Sequence, residues 1–187
     1  YGPTHSQSIE KHFFGIMNLS IIALNHRINP AKLYQCIYEH NQNPTIVIEN
    51  KVLYTRKLNH HIMTGYSIEQ STDHFPTLRI RPNFDSSPEV TVLCYGGMLE
   101  DVEAAVAQAF DDEEISCEVI CPSQISPINM EPILKSVRET QRLLVIEEGN
   151  NISGFGSEVS AQILTHSIPV KSFHKMGYND IIPCSFI

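Results

Sequence analysis

From Glu89 onward, short apolar runs and amphipathic segments take turns with a regularity that leaves few folds open. Residues 90–95 (Val-Thr-Val-Leu-Cys-Tyr) read as a buried strand, followed by a Gly96-Gly97 turn and a helix over 99–110 with an alanine-rich apolar face. A strand over 115–121, a helix over 131–139, a strand over 142–147, a helix over 156–165 and a strand over 168–174 complete the rhythm. Alternation of this kind predicts the α/β class: a three-layer sandwich built on a mostly parallel sheet, with helices covering both faces.

The stretch before it carries a shorter α/β signature. A helical segment over 6–14 precedes a strand over 19–24, then a helix whose start is marked by Asn29 as cap and Pro30 in its first turn. Leu33, Cys36 and Ile37 fall on one face of that helix, and Asn41 and Asn43 stop it. Residues 45–49 (Thr-Ile-Val-Ile-Glu) then read as a short strand buried on both faces. So few elements make too small a sheet to stand alone, so 1–56 reads as the C-terminal remnant of a larger domain. Residues 57–88 are polar and rich in Pro, Asn and Ser and read as an interdomain linker; 89–187 form the second unit.

Composition excludes several classes of function. The formal net charge of -8 leaves no basic stripe for nucleic acid. No apolar run approaches the roughly 20 residues that cross a bilayer, so no membrane is expected. The five cysteines are odd in number and form no Cys-x-x-Cys pair, which argues against a disulfide framework and a zinc knuckle. Cys117 and Cys121 share a strand face and read as small apolar filler. No histidine forms an i, i+4 pair with a plausible third ligand, and no metal site is expected.

Three places could carry chemistry. Gly96-Gly97 and Gly154-Phe155-Gly156 precede helices but lack phosphate-loop spacing, and read as tight turns. Glu147 and Glu148 end a strand, where α/β sheets place functional groups, yet adjacent strand residues point to opposite faces, which favours a capping or interface role. The N-terminal run Tyr1-Gly2-Pro3-Thr4-His5-Ser6-Gln7-Ser8 puts an imidazole on a loop ahead of a helix. From residue types alone, His5 either orders that turn or exchanges protons near neutrality.

The run Tyr1 to Glu10, then Asn43-Pro44, Val47-Ile48-Glu49-Asn50-Lys51 and Leu53-Tyr54, resembles the end of the pyrimidine-binding domain in the β subunit of thiamine diphosphate-dependent 2-oxo acid dehydrogenases. The second half is similar to the family's transketolase-like C-terminal domain through Glu118-Val119-Ile120, Pro122, Ile125, Pro127, Ile133, Ser136-Val137, Thr140, Arg142-Leu143, Glu147 and Gly154 to Glu158. The chain departs from the family at Met17, where a proline is usual, and in a tail over 178–187 that looks clipped.

The resemblance implies decarboxylation of pyruvate or a branched-chain 2-oxo acid and transfer of the acyl group to a lipoyl arm. His5 inherits a catalytic role near the cofactor, in proton transfer or the acylation step, and Ser6 and Gln7 support its loop. Thiamine diphosphate and magnesium belong to the complete enzyme and are not expected to bind this fragment alone, because the cofactor-activating glutamate precedes the motif and the diphosphate and metal ligands lie in the α-type half. Implied partners are an α-type subunit or fused half, a second β-type subunit and the lipoyl acyltransferase core, in the cytoplasm or, in a eukaryote, the mitochondrial matrix. The competing readings are a non-catalytic transketolase-like dimerisation module, and a transketolase or deoxyxylulose phosphate synthase.

Overall fold

The computed structural model describes residues 7–83 and 87–179. In the N-terminal piece, β1 (Ser20–Ala23) is wholly buried and pairs in parallel with β2 (Thr45–Ile48) through helix α1 (Pro30–His40). The Asn29 side chain accepts from the Ala31 amide at 3.0 Å, and Pro30 opens the helix, as the sequence implies. Ahead of β1 the helical turn is shorter than expected, a single 3-10 turn at Glu10–Phe13. β2 also differs from expectation. It is only half-buried along its length, because it lies at the edge of a three-stranded sheet ordered β2-β1-β7.

The third strand, β7 (Gln124–Ser126), comes from the far half of the chain and runs antiparallel to β1, with Ile21 opposite Ser126 and Ile22 opposite Gln124. Residues about a hundred positions apart thus share one sheet, and the two halves of the chain fold as one body.

The second sheet has six strands ordered β3-β4-β6-β5-β8-β9. Four of them, β5 (Val90–Leu93), β6 (Cys117–Pro122), β8 (Arg142–Asn150) and β9 (Ser172–Tyr178), are parallel and correspond to the rhythm read from Glu89 onward. β9 begins four residues later than expected, since Ile168 packs into the core ahead of the strand. The other two strands lie in the stretch expected to be an irregular linker. β3 (Tyr66–Gln70) and β4 (Thr77–Pro82) form an antiparallel hairpin whose second strand pairs with β6.

Period-two alternation sorts the side chains of the parallel strands onto two faces. Leu93, Ile120, Leu143 and Val145 join Ile133 and Val137 of α3 (Glu131–Thr140), and Phe155, Val159 and Ile163 of α4 (Phe155–Thr165). Ile21 and Ala23 of β1 belong to this same core, which therefore runs through both halves of the chain. Val92, Cys94, Val119 and Cys121 face Leu99, Val102 and Val106 of α2 (Leu99–Glu113), together with Leu78 and Ile80 of the hairpin.

The hairpin is fastened by charge as well as by its apolar face. Glu118 is fully buried. Its carboxylate pairs with Arg79 at 2.5 Å and Arg81 at 3.2 Å and accepts from the Ser136 hydroxyl, while Ser136 and Thr140 both bond to Thr91. Removing one member of a buried pair leaves the other unpaired, at a cost of about 3–5 kcal/mol. Because both arginines keep some solvent contact, Glu118→Ala falls at the lower end, about 3 kcal/mol. Far-ultraviolet dichroism during urea unfolding measures it in a chain without tryptophan. Hydrogen exchange in that variant rises first in Tyr66–Gln70 and Thr77–Pro82.

Candidate functional site

The parallel strands change winding direction at β5. Its connection through α2 leads to β6 on one side, whereas β6 returns through β7 and α3 to β8 on the other. The carboxyl ends of β5 and β8 are thus a topological switch point, where open α/β sheets form their crevice. Tyr95 and Gly96-Gly97 follow β5 here, and Glu147, Glu148 and Gly149 lie toward the end of β8.

The segment from Gln7 to Phe13 closes onto this crevice. Glu10 is 2% exposed, and the Tyr95 hydroxyl donates to its Oε1 while Ser8 Oγ donates to Oε2 at 2.7 Å. Tyr95 is itself held edge-on against Phe155, with ring centroids 5.0 Å apart. From the second N-terminal stretch, Asn50 Nδ2 donates to Glu148 Oε2 at 3.2 Å, and Asn50 Oδ1 accepts from the Val52 amide at 3.0 Å.

Glu147 has a different task. It accepts from the amides of Phe155 at 2.9 Å and Gly156 at 3.4 Å, so it caps helix α4, where exposed N–H groups and the helix dipole favour a carboxylate. A side chain at Gly154 would collide with that carboxylate. Gly97 is constrained similarly: a Cβ there would lie 2.5 Å from Asn50 Nδ2. Both glycines therefore make room for protein side chains, and neither turn is an open phosphate cradle.

Three carboxylates meet at this joint with few cations to balance them. Lys175 Nζ bonds to Asn151 O and Ser157 Oγ, each at 2.8 Å, and Lys11 bonds to Asn150 and to the Ile152 carbonyl. Burial pushes the Glu147 carboxyl above its ordinary range; the two helix amides and Lys175 oppose that, and the charge of Glu10 adds to it. Glu148 is exposed as a residue, yet its carboxyl is also pushed up, first by lost solvation against the interface and then by Glu10, with Asn50 opposing. Burial and the Glu10 charge drive the Tyr95 phenol upward, so its hydroxyl stays a donor. Among the described residues no three His, Cys, Asp or Glu side chains are placed to hold a metal ion.

His5 and Ser6 lie outside the described residues, and Gln7 is exposed. Glu10, Tyr95 and Asn50 drew no role from the sequence. Glu10 lies within the N-terminal motif, but nothing in its spacing shows a partner 85 residues away. Cys117 and Cys121 are buried in the core, and no helix among the described residues is long and apolar enough to cross a membrane.

Fold and joint together define an α/β protein in which a small three-stranded sheet and a six-stranded, mostly parallel sheet are held together by a shared core and a buried carboxylate. Residues 84–185 match the family described as the transketolase C-terminal domain, and the chain belongs to that family. It is similar to the pyruvate dehydrogenase E1 component subunit beta of Gracilaria tenuistipitata var. liui, with 29% identity over 87% of this chain and 47% of that one. It is also similar to the mitochondrial 2-oxoisovalerate dehydrogenase subunit beta of Chaetomium thermophilum, with 30% identity over 85% of this chain and 32% of that one. The same subunit of Pseudomonas aeruginosa is 29% identical over 88% and 48%. The chain therefore spans less than half the length of each of these relatives. Among solved structures, the inactive β4 tetramer of a split-gene transketolase shares the fold, with a TM-score of 0.64 at 20% identity, over 94% of this chain and 54% of that one. A transketolase from Pichia stipitis does so with a TM-score of 0.56 at 14% identity, over 96% and 23%.

The raised carboxyls give a pH dependence of definite sign. Glu147 and Glu148 titrate higher in the folded chain than in the unfolded one, so the folded state binds more protons in the window above the ordinary glutamate value of 4.5. Their contribution to stability is thus gained as pH falls from neutrality into that window and lost as pH rises through it. Glu148→Gln removes one such charge and leaves an acceptor for Asn50. Its thermal midpoint exceeds that of the parent sequence near neutrality, and the difference shrinks as pH falls towards 4.5.

Proposed function

We propose that this chain is the C-terminal portion of the β-type half of a thiamine diphosphate-dependent 2-oxo acid dehydrogenase, an oxidoreductase that decarboxylates pyruvate or a branched-chain 2-oxo acid and passes the acyl group to a lipoyl acyltransferase. The observation that carries this reading is the reach of the similarity: the relatives named as dehydrogenase β subunits align over 85–88% of the chain, beyond the family match at 84–185. The buried joint agrees with it, since the N-terminal segment and the C-terminal sheet share a core and a carboxylate.

Asn50 fills the space beside Gly97, and among the described residues no cluster of three or more His, Cys, Asp or Glu side chains could hold a metal ion. Thiamine diphosphate and magnesium are assigned to the complete enzyme, bound by an α-type subunit or fused half together with upstream residues. A second β-type copy and the acyltransferase core complete the assembly, placed in the cytoplasm of a bacterium or the mitochondrial matrix of a eukaryote. Within this chain His5 is the proton-exchanging group for acyl transfer, with Ser6 and Gln7 supporting its loop.

The test is decarboxylation by the full-length protein with thiamine diphosphate and magnesium, pyruvate against branched-chain substrates, with this fragment alongside. Cofactor-dependent turnover in the full-length protein and none in the fragment supports the reading and names the substrate; an assembled but inactive protein favours the non-catalytic module. In an active protein, His5→Ala lowers lipoyl-dependent turnover about 100-fold or more, the scale of a lost general acid or base. Thermal stability is little changed.

A further inference from the structure

We propose that the cavity at the carboxyl ends of β1 and β2 is a nucleotide site, taking a base against Asn25 and His26, a ribose at Glu49 and a 5′-phosphate at Lys57. The cavity holds about 460 Å3, the size of a small-molecule site, and of the groups in the joint around Glu10 it touches only Asn50. The inference needs no part of the dehydrogenase reading.

Strand β1, helix α1 and strand β2 form a parallel β-α-β unit, and ligands of such units lie beyond the carboxyl ends of the strands. Leu24, Asn25 and His26 follow β1 at this end, and Glu49 follows β2. A carboxylate at the end of the second strand is where dinucleotide-binding units accept a ribose hydroxyl. Glu49 is preset for that task. The Tyr34 hydroxyl donates to its Oε1 and the Tyr54 hydroxyl to its Oε2 at 2.7 Å, and these two bonds hold the carboxyl below its ordinary range. Each oxygen keeps a further lone pair for a ribose hydroxyl.

Asn25 and His26 carry the second, independent observation, since they line the cavity and are only 4% and 5% exposed. Asn25 Oδ1 accepts from the amides of Arg27 at 2.9 Å and Ile28 at 3.0 Å, which fixes the side-chain amide and leaves Nδ2 without a partner among the described residues. His26 turns Nε2 to the Glu103 carboxylate at 3.4 Å, and Arg27 fixes that carboxylate with two bonds. Its Nδ1 is left without a partner as well. With the ring proton toward Glu103, neighbouring residues offer a buried donor and a buried acceptor, each a cost to the protein alone. A base edge that sets an acceptor beside a donor, as adenine does, satisfies both. Leu24, Leu53 and Leu58 supply apolar walls for the ring. The phosphate does not go to the start of α1, because Pro30 has no N–H and the Ala31 amide is already bonded to Asn29. Arg56 and Lys57 line the cavity instead, and Arg56 lies 3.5 Å from Glu100, which makes Lys57 the principal cation.

Equilibrium dialysis of labelled AMP and GMP against the full-length protein, saturated with thiamine diphosphate and magnesium, tests the site. The expected result is saturable binding of one nucleotide per chain at about 10–100 μM. Glu49→Gln weakens AMP about tenfold, and so does removal of the ribose 2′ and 3′ hydroxyls from AMP, the scale of one hydrogen bond to a charged group. The two losses do not add, because they delete the same contact from its two sides. Lys57→Ala weakens AMP about tenfold and leaves adenosine unchanged. Absence of saturable binding by both nucleotides up to about 1 mM overturns the inference. Equal binding of AMP and its dideoxy analogue overturns it too, as does binding that rising thiamine diphosphate displaces, which would put the nucleotide in the cofactor's place.

Discussion

Strand β1 has nowhere to lie on its own. Its four residues are all buried, and a strand covered on both faces needs hydrogen-bonded neighbours on both edges to satisfy its peptide groups. β2 supplies one edge through the local connection of α1. The other is supplied by β7, three residues that leave the main sheet between β6 and α3. That pairing makes the N-terminal piece part of the same body as the six-stranded sheet, places Ile21 and Ala23 in the core with Leu93 and Phe155, and brings the segment ahead of β1 to the switch point.

Buried charge appears in two settings with opposite character. Glu118 lies between two arginines and a serine that is itself tied to Thr91, so its lone pairs are met by cations and hydroxyls together. Glu10 is met by hydroxyls and faces two further carboxylates. The compensated group holds the hairpin to the sheet. The under-compensated group sits where the two halves of the chain meet, beside the capped end of α4, and raises its neighbours' affinity for protons. Desolvation is the leading cause for both Glu147 and Glu148, ahead of the repulsion from Glu10, so the closeness of the joint matters more than the count of charges around it.

Much of the second half was legible because its signals are local. Alternation of apolar residues sets the face of each strand, and Asn29 with Pro30 marks a helix start in the first half by the same kind of short-range rule. The hairpin was not read, although Leu78 and Ile80 alternate with Arg79 and Arg81 as a half-buried strand requires. Pro76 and Pro82 bracket that alternation, polar text surrounds it, and two arginines facing inward look solvated until Glu118 is known to lie beneath them. The half-burial of β2 had no local signal either. Thr-Ile-Val-Ile reads the same at an edge as in a centre, and only the strand order distinguishes them.

The sequence by itself determined the α/β class, most of the helices and parallel strands, and the motif around His5, since each depends on residues within a few positions of one another. Tertiary structure alone decided that Glu147 caps α4, that Gly97 makes way for Asn50, and that Glu10 meets Tyr95. These contacts are made where strand ends, a crossover and an upstream segment converge. Their partners are separated by anything from 8 to 85 positions, and no periodicity of the chain records a meeting set by the order in which strands enter the sheet.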